Sequence, residues 1–241
     1  MKILFIITGL LILSFSGCSS VELALDPCHC TVLEKTFKTG QPKNPNLDYD
    51  LLVFKPKAPD EKFPLIVVFH GVGQSGSDYL LKYWQDDAAR RRFMILSVDW
   101  KKAYRNDPVA LKEIYSLLDE ITQKYSVEKN KVAIAGVSAG GLLARWLVEG
   151  EPQRWKAAVL LAYATSEDWT QHAQLKDFPP FLFVHGTKDE QFSSNLTAKT
   201  VENLRQKGFR VDWIEDAEAG HEHRPEWNGK IFDWIEKQSH S

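Results

Sequence analysis

Residues 131–141 read Lys131-Val132-Ala133-Ile134-Ala135-Gly136-Val137-Ser138-Ala139-Gly140-Gly141, and this stretch decides the fold. Its first five residues are mostly apolar and have the length of a buried strand. Gly136-Val137-Ser138-Ala139-Gly140 then spells G-x-S-x-G, and helix-forming residues continue over 142–149. A serine between glycines where a strand turns into a helix is the pattern of a nucleophile elbow. Ser138 must sit on a sharp, strained turn for its hydroxyl to stand clear of the backbone. Gly136 and Gly140 remove the Cβ atoms that would collide as strand and helix close on each other. The first N–H groups of the helix have no intrahelical acceptor, so they are available to a developing negative charge.

Working outward, strands are expected over 31–37, 48–56, 63–70, 93–99, 131–135, 157–162, 181–185 and 210–214. Helices are expected over 77–92, 107–125, 142–149, 194–207 and 225–237. The stretch FPLIVVFH at 63–70 carries four consecutive apolar residues, as in a strand buried on both faces of a parallel sheet. In the 107–125 helix, Leu111, Ile114, Leu117, Leu118 and Ile121 keep helical spacing. Strands alternating with helices from residue 63 onward imply an α/β fold, a mostly parallel central sheet with helices on both faces. Sites in such sheets lie beyond the carboxyl ends of the strands. Two titratable residues stand there besides the elbow: Asp189, four residues beyond the 181–185 strand, and His221, shortly after the last strand. The chain order is Ser138, Asp189, His221.

The whole chain has 241 residues, enough for one large α/β domain or two small ones. A formal net charge of −2 gives no reason to expect nucleic acid as a partner. Met1-Lys2 followed by an apolar run over 3–15 is too short to span a bilayer and has the size of a signal segment. Small residues then lead to Cys18, the pattern of a bacterial lipoprotein signal. The expected organisation is a signal over 1–17, a tether and approach over 18–45 starting from a lipidated Cys18, and one catalytic domain over 46–241. That places the protein at the cell envelope, lipid-anchored to a membrane, with a secreted or periplasmic protein as the alternative. Cys28-His29-Cys30 has no second Cys/His cluster to complete a metal site, so no metal is expected. Nor is there a Walker loop or a dinucleotide fingerprint, and no cofactor is expected.

His70-Gly71-Val72-Gly73, the elbow, His185-Gly186-Thr187-Lys188-Asp189 and Gly220-His221 together resemble an α/β-hydrolase superfamily serine hydrolase over about residues 47–238. The likeness is to compact esterases of the polyhydroxybutyrate-depolymerase, feruloyl-esterase and dienelactone-hydrolase-like groups. It implies a catalytic triad of Ser138, His221 and Asp189. An imidazole, which ordinarily titrates near pH 6.5 (about), takes and returns the serine proton, while the carboxylate holds its tautomer. The oxyanion donors are Ala139 N–H, next to the nucleophile, and, by resemblance, Val72 N–H. His223 competes with His221 as the base, and is otherwise a substrate contact or solvent-facing. His70 and His185 end buried strands and are expected to be structural.

The connection over 163–180 has room for a loop or a short helix, but not for a lid domain. Trp100, Tyr104, Tyr163 and Trp169 follow strands and are candidates for stacking on a substrate ring. The expected function is hydrolysis of small or polymer-borne carboxylic esters through an acyl-enzyme. The alternatives are a serine peptidase of the prolyl-oligopeptidase type without its gating domain, and a non-catalytic binding lipoprotein.

Overall fold

The computed structural model describes residues 22–25, 30–37, 47–100, 108–165 and 177–238. The strands are β1 (Glu22–Leu25), β2 (Cys30–Phe37), β3 (Leu47–Phe54), β4 (Phe63–Phe69), β5 (Met94–Asp99), β6 (Val127–Val137), β7 (Ala157–Leu161), β8 (Phe181–Gly186) and β9 (Val211–Asp216). The helices are α1 (Gly76–Tyr79), α2 (Gln85–Arg91), α3 (Pro108–Lys124), α4 (Ala139–Gly150), α5 (Ser194–Gln206) and α6 (Asn228–Lys237). All nine strands join one sheet in the order β1-β2-β3-β5-β4-β6-β7-β8-β9. From β1 to β5 the pairs are antiparallel, and from β5 across β4 to β9 they are parallel.

The apolar run that reads as a doubly buried strand is one. Ile66, Val67, Val68 and Phe69 have no exposed surface, and β4 lies between β5 and β6 near the middle of the sheet. The sheet extends further toward the N-terminus than the sequence pattern indicates. The strand expected over 31–37 is β2, which pairs with β3 along its whole length, and before it, inside the stretch expected as tether, lies the unexpected β1, which pairs with β2. β1 is four residues long, too short for a period-2 signal to emerge. β6 starts at Val127 instead of 131. Residues 128–131 are polar and not buried, so the apolar test passes over them, and the pairing with β4 breaks register there, between Phe63 and Leu65. The signal segment, Cys18, Cys28 and His29, and residues 166–176 of the 163–180 connection lie outside the described residues. No described helix is long and apolar enough to cross a membrane.

The helical stretch expected over 77–92 is interrupted. Between α1 and α2 the chain makes a π-helical turn, Leu80–Trp84. At about 100° per residue, an α-helix would send Tyr79 and Trp84 to different faces. The wider turn brings residues five apart onto one side. Tyr79 and Trp84, both fully buried, there meet the ring of His223, at centroid distances of 5.7 and 5.1 Å. Tyr83 stacks on the same imidazole at 5.2 Å. Asn228 Nδ2 donates to the Tyr83 carbonyl, so Asn228 Oδ1 is turned to accept from His223 Nε2 at 2.9 Å. His223 Nδ1 is then left to accept from the Tyr79 hydroxyl at 3.0 Å. This histidine is neither a base nor a solvent-facing side chain. It is a buried neutral pin joining the π turn to the start of α6.

Burial pushes the pKa of His223 down to about 4, against a smaller opposing effect of its bond to Asn228. In the unfolded chain the group takes a proton near pH 6.5, and in the folded chain only near pH 4. Stability is therefore complete above pH 6.5 and falls as the pH drops toward 4. His223 should contribute up to about 3 kcal/mol of that loss. Urea titrations across this window should show a shallower pH slope for His223→Gln than for wild type.

Candidate active site

Ser138 follows the last residue of β6 and caps α4 with φ 54° and ψ −120°, outside both helical and strand geometry. Such a conformation in a non-glycine residue costs about 1–3 kcal/mol and persists only where its surroundings impose it. Here Ser138 N–H donates to Leu161 O of β7 at 2.9 Å, and its own carbonyl accepts from Gly141 N–H at 2.9 Å. A Cβ on Gly136 would stand 2.2 Å from Gly140 O, and one on Gly140 would stand 2.3 Å from Phe69 O. The glycines thus let strand and helix approach to backbone contact. The result is a serine hydroxyl raised at the carboxyl end of the sheet, beside the N–H groups of Ala139 and Gly140 that open α4.

The hydroxyl has a partner. Ser138 Oγ lies 2.8 Å from His221 Nε2, and His221 Nδ1 lies 2.7 Å from Asp189 Oδ2. Asp189 and His221 come from neighbouring loops, after β8 and β9. These loops are stitched together by Lys188 N–H to Ala219 O and Thr187 N–H to Asp216 O, each 2.9 Å. Close packing adds to this, since a Cβ on Gly186 would lie 2.1 Å from Ala219 O.

Asp189 is almost fully buried and accepts from four groups. Oδ1 receives Gln191 N–H and Phe192 N–H, each at 2.8 Å. Oδ2 is shared by His221 and His185, each at 2.7 Å. Burial alone would raise the carboxyl pKa. The bonds from Phe192 N–H, His221, His185 and Gln191 N–H outweigh it, and the carboxyl titrates below its ordinary value. The group is thereby kept ionised although water is excluded. His185, fully buried as expected, uses Nε2 on Asp189 and sets Nδ1 2.8 Å from Thr197 Oγ1. The Thr197 hydroxyl in turn reaches Tyr163 O at 2.9 Å, tying the acid to α5 and to the end of β7.

The loop after β4 is braced from several sides. His70 Nδ1–H donates to Gly71 O at 2.8 Å, and Trp100 Nε1–H donates to His70 O at 3.0 Å. Gly71 N–H is taken by Gln74 Oε1 at 3.1 Å, and Gly73 adopts φ 83°. Val72 stands at the tip with its side chain exposed. The loop, Ser75, Asp78 and Trp100 line a groove of about 420 Å³. Of the four aromatic candidates, Trp100 and Tyr163 are buried and act as braces: the indole N–H of one and the carbonyl of the other are engaged. Tyr104 and Trp169 lie outside the described residues. Sequence reading overlooked Phe192, whose ring lies 5.3 Å from that of His221. Its only signal was an apolar residue three positions past the acid, in an otherwise polar turn. Among the described residues, no group of three His, Cys, Asp or Glu side chains is placed to hold a metal ion.

Fold and site define a hydrolase of the serine class on an α/β-hydrolase scaffold. The model of the prolyl oligopeptidase family matches residues 96–177 and 160–241, more than half of the chain, and the chain belongs to that family. No curated protein matches it in sequence. Among solved structures it is similar to a thermostable esterase, at 20% identity and TM-score 0.67. That likeness covers 86% of this chain and 62% of the other, so the chain spans less than two thirds of that esterase. It is also similar to an S-formylglutathione hydrolase from Agrobacterium tumefaciens, at 15% identity and TM-score 0.71, covering 92% and 100% of the two chains. A ferulic acid esterase aligns at 15% identity and TM-score 0.72, covering 88% and 99%. Identities this low speak for the fold alone.

The elbow geometry leads to a stability prediction. Gly136→Ala places a methyl group inside the contact with Gly140 and should cost about 2–3 kcal/mol or more. A denaturant midpoint equal to that of wild type would show that strand and helix have room to spare.

Proposed function

We propose that this protein is a carboxylic ester hydrolase that works through Ser138, His221 and Asp189 by way of an acyl-enzyme. The observation that carries the reading is the continuous relay from Ser138 Oγ through His221 to a buried carboxylate. Serine is a weak nucleophile on its own, and an adjacent base activates it. As Oγ bonds to the ester carbon, its proton passes to His221 Nε2, and Asp189 stabilises the imidazolium formed. Ala139 N–H and Val72 N–H receive the oxyanion; each donor of this kind is worth about 10²–10³ in rate. The carbon–oxygen bond of the ester then breaks, and the departing alkoxide takes the proton from His221. Water repeats the sequence: it gives a proton to His221, attacks the acyl carbon and releases the acid, while the proton returns to Ser138 Oγ.

The named activities of the similar structures, hydrolysis of ferulic acid esters and of S-formylglutathione among them, support an acyl-transfer chemistry on oxygen or sulfur esters. Family membership favours a second reading, peptide-bond hydrolysis at the same serine. Turnover of p-nitrophenyl butyrate against an aminoacyl p-nitroanilide separates the two. The ester should be the substrate, and faster cleavage of the anilide would reverse the assignment. Ser138→Ala should lower kcat by about 10⁴-fold or more, and Asp189→Asn by a comparable factor, since the amide favours the wrong imidazole tautomer. Retained activity in Ser138→Ala would remove this serine as the nucleophile.

We also propose anchoring through Cys18, on the strength of the short apolar segment and the small residues before it. Fractionation of cells producing Cys18→Ser should move the protein out of the membrane pellet. An unchanged distribution would contradict lipidation.

A further inference from the structure

Four large apolar residues are exposed among the described residues, and Phe192, at 42%, is the one whose ring contacts the base. Its backbone is fixed: the N–H donates to Asp189 Oδ1 at 2.8 Å, and the carbonyl accepts from His185 Nε2 at 3.2 Å. With both ends of its peptide frame bonded into the acid site, the residue is held at the surface instead of in the core. The ring is set at 42° to the imidazole of His221, with centroids 5.3 Å apart. The ring thus stands beside the imidazole with part of its surface open to water.

From this geometry we propose that Phe192 is a specificity-determining residue that selects esters whose alcohol part carries an aromatic ring. The proposal rests on the esterase reading above. In that reaction His221 Nε2 returns its proton to the departing alcohol, so the alcohol oxygen must come within hydrogen-bond reach, about 3 Å, of this nitrogen. The phenyl ring that flanks the same imidazole is then within reach of whatever the oxygen carries. The carbonyl oxygen is turned toward the N–H groups of Val72 and Ala139. A flat apolar group on the alcohol gains offset or edge contact with the phenyl ring, and a short alkyl group does not.

The test compares 2-phenylethyl acetate with ethyl acetate, using the full chain. Both esters deliver the same acetyl group and release a primary alkoxide, so the ratio of their kcat/KM values reports recognition of the alcohol. Wild type should prefer the phenylethyl ester. Phe192→Ala should reduce the ratio about tenfold, the scale of one modest apolar pocket contact. Phe192→Tyr, which keeps the ring, should hold the ratio within about twofold. An unchanged ratio in Phe192→Ala overturns the proposal, including the case where both esters slow in parallel, which would make the ring a shield for His221. If wild type cleaves ethyl acetate with no preference between the two esters, the proposal alone fails. If it cleaves neither ester, the esterase reading fails first and takes the proposal with it.

Discussion

The backbone of Ser138 is held where an ordinary residue does not stay, and the rest of the molecule supplies the restraint. Its φ of 54° is maintained by a bond to β7 on one side and by the first turn of α4 on the other. The clearances around Gly136 and Gly140 are so small that β4, β6 and α4 meet as bare backbone. The long parallel half of the sheet therefore serves a local purpose. Its central strands are buried and rigid, and only a rigid frame can keep a strained turn from relaxing.

The second half of the site depends on one carboxylate. Asp189 is out of water, yet it is kept ionised by donors from its own turn and by two imidazoles. Through His185 and Thr197 the same group is tied to α5 and to the end of β7. In the proposed reaction, a negative charge fixed in this way costs little reorganisation as His221 takes a proton. The neighbouring turn gains from the bonds as well. Gln191 and Phe192 are ordered because they donate to the acid, and the Phe192 ring is carried to the rim of the site as a consequence.

Much of this was legible in the sequence. The alternation of strands and helices, the elbow and the positions of Asp189 and His221 follow from period, glycine placement and chain order, which are local signals. His223 shows where such signals end. It stands two residues from His221, and nothing nearby says that a π turn more than 130 positions earlier encloses it between Tyr79, Tyr83 and Trp84. Trp100 and Tyr163 follow the ends of β5 and β7, as their place in the sequence indicates, but a strand-end position does not reveal whether an aromatic ring faces inward. Strand β1 was missed because four residues carry too little pattern. Phe192 was missed because its role arises from backbone bonds to a residue three positions away, which hydrophobic patterning does not register.

Membership of the prolyl oligopeptidase family and the hydrolase scaffold leave one central claim to be tested directly: that Ser138 is the atom donor to a covalent intermediate. Treating the full chain with a fluorophosphonate and measuring its intact mass does so. The account predicts a single phosphonyl adduct, located on Ser138 by fragmentation and absent from Ser138→Ala. An adduct on another residue, or equal labelling of wild type and variant, would contradict it.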